Sequence, residues 1–226
     1  MQSSRINYPQ ESEQAINQLI RSYMGASLTY YNLQAACATE EVSMPGFCKY
    51  FRMCALRVRK VAESTINWQT VRGGKFQIGE VQSLVPPTNI WQHGIEKILL
   101  TAVEVEKNLE HQLHQACQIA RGKDDFATAE RLEHSYLQNQ VLVTRMLVNL
   151  YNGLQGSQNA YHYDRTTMFP LYKSIRDVVE RRSRNNYKPG YKGYGYESDH
   201  SDGTLNTQPH SHISSGIDGF VRSMQL

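Results

Sequence analysis

Acidic, histidine and cysteine side chains carry most of the chemistry available to this 226-residue chain, and few of them have a useful spacing. Glu110 and His114 stand four residues apart, as do Glu130 and His134, so each pair could bind a zinc ion if it lies on a helix. Most pairs at this spacing only share a solvated helix face, and we favour that interpretation. The sequence shows no Gly-rich phosphate loop, nucleophile elbow or Cys/His dyad.

The cysteines do not form a metal-ligand pattern. They are Cys37, Cys48, Cys54 and Cys117. None stands in a CxxC pair, so we interpret them as free thiols in a reducing compartment. The first fourteen residues are polar throughout, and no apolar run reaches the ~20 residues of a membrane span. We therefore expect a cytoplasmic protein without a membrane partner.

Four long segments repeat apolar residues every three or four positions, which indicates amphipathic helices. They run from about Glu11 to Ala36, from Ser43 to Gly73, from Asn89 to Ile119 and from Asp125 to Leu150. The first and third connections are short and predict antiparallel hairpins, whereas the connection from Gly73 to Thr88 is long enough to run the length of a bundle. We also expect Ser43 to cap the second helix. The fold class is thus all-α, a four-helix bundle with one long crossover.

The rest of the chain divides by composition. We expect an N-terminal extension over 1–9, the bundle over 10–153, and a linker with a short fifth helix over 154–184, where Met168 to Arg182 is amphipathic. Residues 185–226 are rich in Gly, Ser, Tyr and His, which predicts a disordered tail. Its tyrosines could stack on single-stranded RNA, although a linker is the simpler interpretation. They are Tyr187, Tyr191, Tyr194 and Tyr196.

The order of short motifs along the chain resembles ferritin, over about residues 6 to 183. The matching stretches are INYPQESEQAINQLI, KYF, QTVRGGK, VEKN and SYLQNQV, in family order and at family spacing. The resemblance implies a hollow shell of 24 subunits, a fifth helix at its four-fold axis, and iron as the stored cargo. Periodicity alone does not predict that shell.

The iron-oxidising centre that the resemblance implies has lost its ligands here. Such a centre needs carboxylates and a histidine inside the bundle, because hard oxygen ligands and imidazole suit iron. Tyr23 stands at the position of the first-helix glutamate. Val58 and Val61 stand where a Glu-x-x-His would be, and Arg57 replaces an adjacent glutamate. We therefore expect no catalytic residues and no ferroxidase activity.

Glu106 and Gln140 remain from that constellation, with Tyr30 as an accessory. A lone buried carboxylate is costly unless it has a partner, and Arg57, Gln140 and Tyr30 are the candidates. The alternative is weak, residual metal binding at Glu106 and Gln140.

A second family feature, a carboxylate cluster on the cavity face of the second helix, is also replaced. The matching positions are Met53, Leu56, Arg57 and Lys60. Arg57 and Lys60 would make this face basic, which suits an anionic cargo such as RNA; an ordinary solvated helix face is the plainer interpretation.

The resemblance also implies a cation entry route at the shell's three-fold axes. Glu130 and Glu133 match its acidic lining, and Cys117 stands at the position of a pore histidine. Rings of carboxylates would attract cations, although Arg121 and Lys123 would weaken the attraction if they point inward.

These patterns favour a non-catalytic cage subunit that stores iron, as a homo-oligomer (a 24-mer) or mixed with active ferritin subunits. The alternative is a non-iron cage that holds RNA or a client protein. A third reading, an active ferroxidase, needs ligands that the sequence does not supply.

Overall fold

The structure, a computed structural model, describes residues 4–77, 79–83, 90–185 and 211–224. The helices are α1 Gln10–Ala38, α2 Pro45–Val71, α3 Gly94–Gly122, α4 Phe126–Arg131, α5 Gln138–Gln155, α6 Ala160–Tyr163, α7 Phe169–Asn185 and α8 Ser211–Ser223. A single 3₁₀ turn, Ile90–His93, precedes α3. Among these residues there is no β-strand, and no helix is both long and apolar enough to cross a membrane.

The predicted four-helix bundle is confirmed. Helix α1 packs against α2 and α3, and α3 packs against α5, with one continuous apolar core between them. Helices α4 and α5 form the fourth helix of the bundle, joined without a break through a π-helical turn at Leu132–Leu137. Such turns insert one residue into the helical repeat, and here Leu132, Tyr136 and Gln140 all stay buried along one face.

The crossover between α2 and α3 lies along α1 wherever it is described. The amide of Asn17 donates to the carbonyl of Lys75 at 3.2 Å, and the backbone N–H of Gln77 donates to the Asn17 side chain at 3.1 Å. Twelve residues further along α1, the hydroxyl of Thr29 lies 2.8 Å from that of Ser83. The crossover therefore follows α1 for about 18 Å, at 1.5 Å of rise per residue.

The expected cap of α2 is wrong, because Met44 rather than Ser43 precedes its first turn and no local side chain caps it. The cap comes from a residue that is distant in the sequence. The buried carboxylate of Asp164 accepts the backbone N–H of Gly46 at 2.9 Å and that of Phe47 at 2.7 Å. A carboxylate at a helix N-terminus satisfies free N–H groups and complements the helix dipole.

The predicted fifth helix of the ferritin-like plan corresponds to α6 and α7, and it begins earlier than predicted. The stretch before Met168 was expected to be a polar linker, but Ala160–Tyr163 is already helical and continues through a π-helical turn, Asp164–Met168, into α7. Asn159 caps this helix by accepting the N–H groups of Tyr161 and His162. The π-helical turn presents Asp164 to α2, a tertiary contact that the local composition does not encode.

The prediction of a disordered tail is wrong for residues 211–223. These form α8, which packs mainly on α5 and also touches α2 and α7. Its apolar residues Ile217, Phe220 and Val221 are buried in those contacts. The tail tyrosines at 187, 191, 194 and 196 lie outside the described residues.

Candidate functional site

The middle of the bundle holds a buried ion pair. Glu106 of α3 and Arg57 of α2 are both fully buried. One terminal nitrogen of the Arg57 guanidinium contacts both carboxylate oxygens, at 2.5 and 2.6 Å. Charged hydrogen bonds of this kind are short and strong, and each charge removes the cost of burying the other.

Two further side chains complete the coordination of the Glu106 carboxylate. The hydroxyl of Tyr30 donates to one oxygen, and the amide of Gln140 donates to the other at 2.6 Å. The side-chain oxygen of Gln140 in turn accepts a long hydrogen bond of 3.4 Å from Arg57. The expected partners of Glu106 are thus confirmed, and α1, α2, α3 and α5 each supply one member of the site.

The positions at which the sequence predicts lost iron ligands are filled by packed side chains. Val58 and Val61 of α2 are buried in the apolar core of the bundle, and so is Tyr23 of α1. Burial raises the pKa of Tyr23 far above its usual value, so its hydroxyl stays protonated. A protonated phenol and two valines offer no anionic ligand beside Glu106.

The electrostatics of the site favour a charged guanidinium. Burial alone would lower the pKa of Arg57, but the Glu106 carboxylate more than offsets it and raises the pKa above the usual range. The pKa values of Tyr30 and Cys54 are raised by burial and, second, by the nearby negative charge of Glu106. The site therefore carries one positive and one negative charge surrounded by neutral groups.

Phe220 of α8 is the member of the site that sequence reasoning missed. Its ring lies 5.4 Å from the guanidinium carbon of Arg57 and 6.2 Å from the ring of Tyr50. A cation over an aromatic face is attracted by the ring's quadrupole. The signal in the sequence was the amphipathic run around Ile217, Phe220 and Val221, which the polar composition of the surrounding tail obscured.

The expected basic cavity face is wrong for Arg57. Its side chain points into the bundle, where Glu106 neutralises it, because a long side chain on α2 reaches the core at this register. Lys60 is exposed as expected, but its ammonium pairs with Glu63 at 3.0 Å, and Arg59 pairs with the same carboxylate. Of Arg57 and Lys60, only Lys60 therefore lies on an exposed surface.

The residues expected to line a pore are partly brought together. The buried thiol of Cys117 lies near Glu133, while Glu130 is exposed. Burial, with a smaller contribution from Glu133, raises the pKa of Cys117 to about 11. The carboxylate of Glu133 accepts a hydrogen bond of 2.7 Å from Arg121. Arg121 therefore offsets the charge that Glu133 would offer to a cation.

Other candidate metal ligands are dispersed. Within the described ranges, no three His, Cys, Asp or Glu side chains gather closely enough to hold an ion. His134 of the Glu130/His134 pair lies 3.3 Å from the amide of Gln138. In the Glu110/His114 pair, His114 is exposed and Glu110 is partly buried. Both pairs therefore lie on ordinary polar helix faces.

Comparison with known proteins agrees with this architecture. Residues 13–156 match the family model described as a ferritin-like domain. A ferritin middle subunit of Salmo salar is 29% identical over 170 residues, covering 73% of this chain and 95% of the relative. The soma ferritin of Lymnaea stagnalis is 27% identical over 168 residues, and ferritin light chain 1 of Mus musculus is 28% identical over 178 residues. Coverage of this chain is 73% for both, and of the relatives 95% and 96% respectively.

Proposed function

The chain belongs to the ferritin-like family, and from this premise we propose that it is an iron-storage subunit without ferroxidase activity of its own. Two irons bridged by protein carboxylates need several anionic ligands at once. Among the described residues, the carboxylate at the centre of this site is that of Glu106, which already accepts hydrogen bonds from Arg57, Tyr30 and Gln140. That arrangement is the observation that carries the proposal.

A divalent cation at Glu106 would have to displace Arg57. The guanidinium is fully buried and is held on the carboxylate by two short hydrogen bonds. An iron ion placed beside it would meet a fixed positive charge, and Coulomb repulsion at short range in a poorly hydrated interior is strong. Residual iron binding at Glu106 and Gln140 is therefore weak, and iron held by this protein interacts with other surfaces.

We further propose that the chain assembles into a ferritin-type shell in the cytoplasm, alone as a 24-mer or together with catalytically active ferritin subunits. The match covers nearly the whole length of ferritin relatives, which supports assembly of the same kind. In a shell, Glu130, Glu133 and Cys117 would line the cation entry route. The Arg121–Glu133 pair reduces the negative charge of that route, which suits a subunit that depends on others for iron uptake.

The test compares three particles of equal protein concentration, given two Fe(II) per subunit in air. The homopolymer of this chain should oxidise iron no faster than protein-free buffer. A homopolymer of an active ferritin subunit serves as the positive control. Particles that contain both subunits should oxidise and retain iron, measured by absorbance and by iron content after gel filtration. Rapid oxidation of two Fe(II) per subunit by the homopolymer would overturn the proposal.

A further inference from the structure

Helix α8 occupies a groove between α2 and α5. The helix itself lies outside the ferritin-like match, which ends at residue 156. Ile217, Phe220 and Val221 insert their side chains into this groove and are buried there. The opposite face of α8 carries the ion pair between Asp218 and Arg222, at 3.0 Å. The helix thus presents an apolar face to the bundle and a charged face outward.

Two glycines allow α8 to approach α5 closely. A Cβ atom at Gly216 would lie 2.5 Å from Cβ of Met146, and one at Gly219 would lie 2.8 Å from Cβ of Leu142. Larger residues at either position would push the helix out of the groove. Glycine also weakens a helix in isolation, and a helix of 13 residues is marginal in water. Docking on α5 is therefore what stabilises the helical form of this segment.

The docked helix closes one side of the buried ion pair. Phe220 lies against Arg57 and Tyr50, at the distances given above. The Nε–H group of Arg57 is buried and has no hydrogen-bond partner among the described residues. A buried donor without a partner favours any opening that admits water to it. Removal of Phe220 would provide such an opening.

We propose that the groove between α2 and α5 is a helix-binding surface whose occupant is α8 of the same chain, and that α8 docks reversibly as a lid over the Arg57–Glu106 pair. Residues 186–210 place 25 residues of chain between α7 and α8, enough for α8 to leave the groove while the bundle stays folded. The inference goes beyond the storage role, and its geometry stands whether or not the shell stores iron.

Native-state hydrogen exchange on the full-length assembled protein tests reversibility directly. Amides of α8 should exchange at least about tenfold faster than those of the α3 core, because they open without the bundle, yet slower than an unfolded segment. Exchange of α8 at the same rate as the α3 core would mean that the helix opens only with the whole fold. That result would overturn the proposal.

A matched pair of full-length variants tests the groove. Gly219→Leu should abolish the protection of α8 while protection in α1 and α3 persists, because the added side chain meets Leu142. Arg222→Ala, on the exposed face of the same helix, should leave α8 protected. If Gly219→Leu leaves α8 protected, or lowers the protection of the whole bundle equally, the groove is not a separable docking surface.

Rescue in trans completes the test. A labelled peptide of residues 211–226 should bind the Gly219→Leu protein, measured by fluorescence anisotropy. The same peptide carrying Gly219→Leu should bind at least about tenfold more weakly. Equal binding of the two peptides, or none by either, would contradict the proposal. Ferroxidase activity enters none of these measurements, so failure here is distinct from failure of the storage role.

Discussion

At the scale of single residues, the interior of this bundle holds a buried ion pair. The positive partner of Glu106 is the guanidinium of Arg57. Tyr30 and Gln140 remain as hydrogen-bond donors to the same carboxylate. The buried charge is therefore compensated without any ion from solution, and the energetics of the site depend on both partners being present.

Replacement of Arg57 alone should be strongly destabilising. Arg57→Met leaves Glu106 buried and uncompensated, and we expect a loss of about 3–5 kcal/mol in the free energy of unfolding. The double variant Arg57→Met/Glu106→Leu removes both charges and should recover most of that loss. Urea denaturation, followed by tryptophan fluorescence, measures both values.

The matched control is Lys60→Ala, on an exposed turn of the same helix. Its ion pair with Glu63 is solvated, so the change should be within about 1 kcal/mol. A double variant as unstable as Arg57→Met would show that packing of the long side chains, rather than charge compensation, dominates the site.

Sequence reasoning reached most of this site because a lone acid in an apolar stripe must have a partner. Glu106, Arg57, Gln140 and Tyr30 were identified that way, together with the resemblance to ferritin. The direction in which the Arg57 side chain points was harder to predict from the sequence. The position reads both as core and as surface, because its stem can lie along either face of α2. Only the packed structure shows that the guanidinium turns inward.

At the scale of elements, the helices are specified by residues within their own sequence, whereas a helix cap can be supplied by a residue far away in the chain. The apolar repeats of α1, α2 and α3 lie within each helix and were readable from sequence. The cap of α2 is supplied by Asp164, more than a hundred residues away. No local pattern at Ser43 or Met44 signals such a contact, so the sequence could not predict it.

Because Asp164 lies against Gly46, the expected effect of Gly46→Ala on stability is opposite in sign to the effect expected from helix propensity. Alanine normally stabilises a helix relative to glycine by about 0.5–1 kcal/mol. At Gly46, however, a Cβ would lie 2.6 Å from Oδ1 of Asp164, 2.7 Å from the backbone carbonyl oxygen of Asp164 and 2.9 Å from the backbone nitrogen of Phe169. Because two of these three atoms belong to the backbone, Gly46→Ala should destabilise the protein by about 1–3 kcal/mol.

Gly156→Ala is the control for that substitution. Its Cβ would meet nothing closer than 3.6 Å, and its backbone is already helical, so thermal unfolding should be unchanged or slightly raised. If Gly46→Ala is as well tolerated as Gly156→Ala, the close packing of the fifth helix on α2 does not constrain stability.

Helix α8 shows the same limit of local reasoning. Its surroundings in sequence are polar and rich in glycine, which predicts disorder. Its two glycines are instead the residues that fit against Met146 and Leu142. Composition cannot distinguish a glycine that loosens a segment from one that permits close packing, since the difference lies in the partner surface.

At the scale of the whole molecule, the chain is a ferritin-like bundle with an addition. Relatives are covered over 95% of their length, but only 73% of this chain is matched. The added α8 packs on α2 and α5, the helices that contribute Arg57 and Gln140 to the buried site. The family match accounts for the bundle, whereas α8 lies outside the matched residues 13–156.

Replacement of the metal centre by an ion pair is the central claim, and iron-edge anomalous diffraction from crystals soaked anaerobically with Fe(II) tests it most directly. We expect no anomalous peak within bonding distance of Glu106, and Arg57 should remain on the carboxylate. Peaks elsewhere, for instance near Glu130, are compatible with storage. An iron peak between Glu106 and Gln140, with the Arg57 guanidinium displaced, would contradict the account.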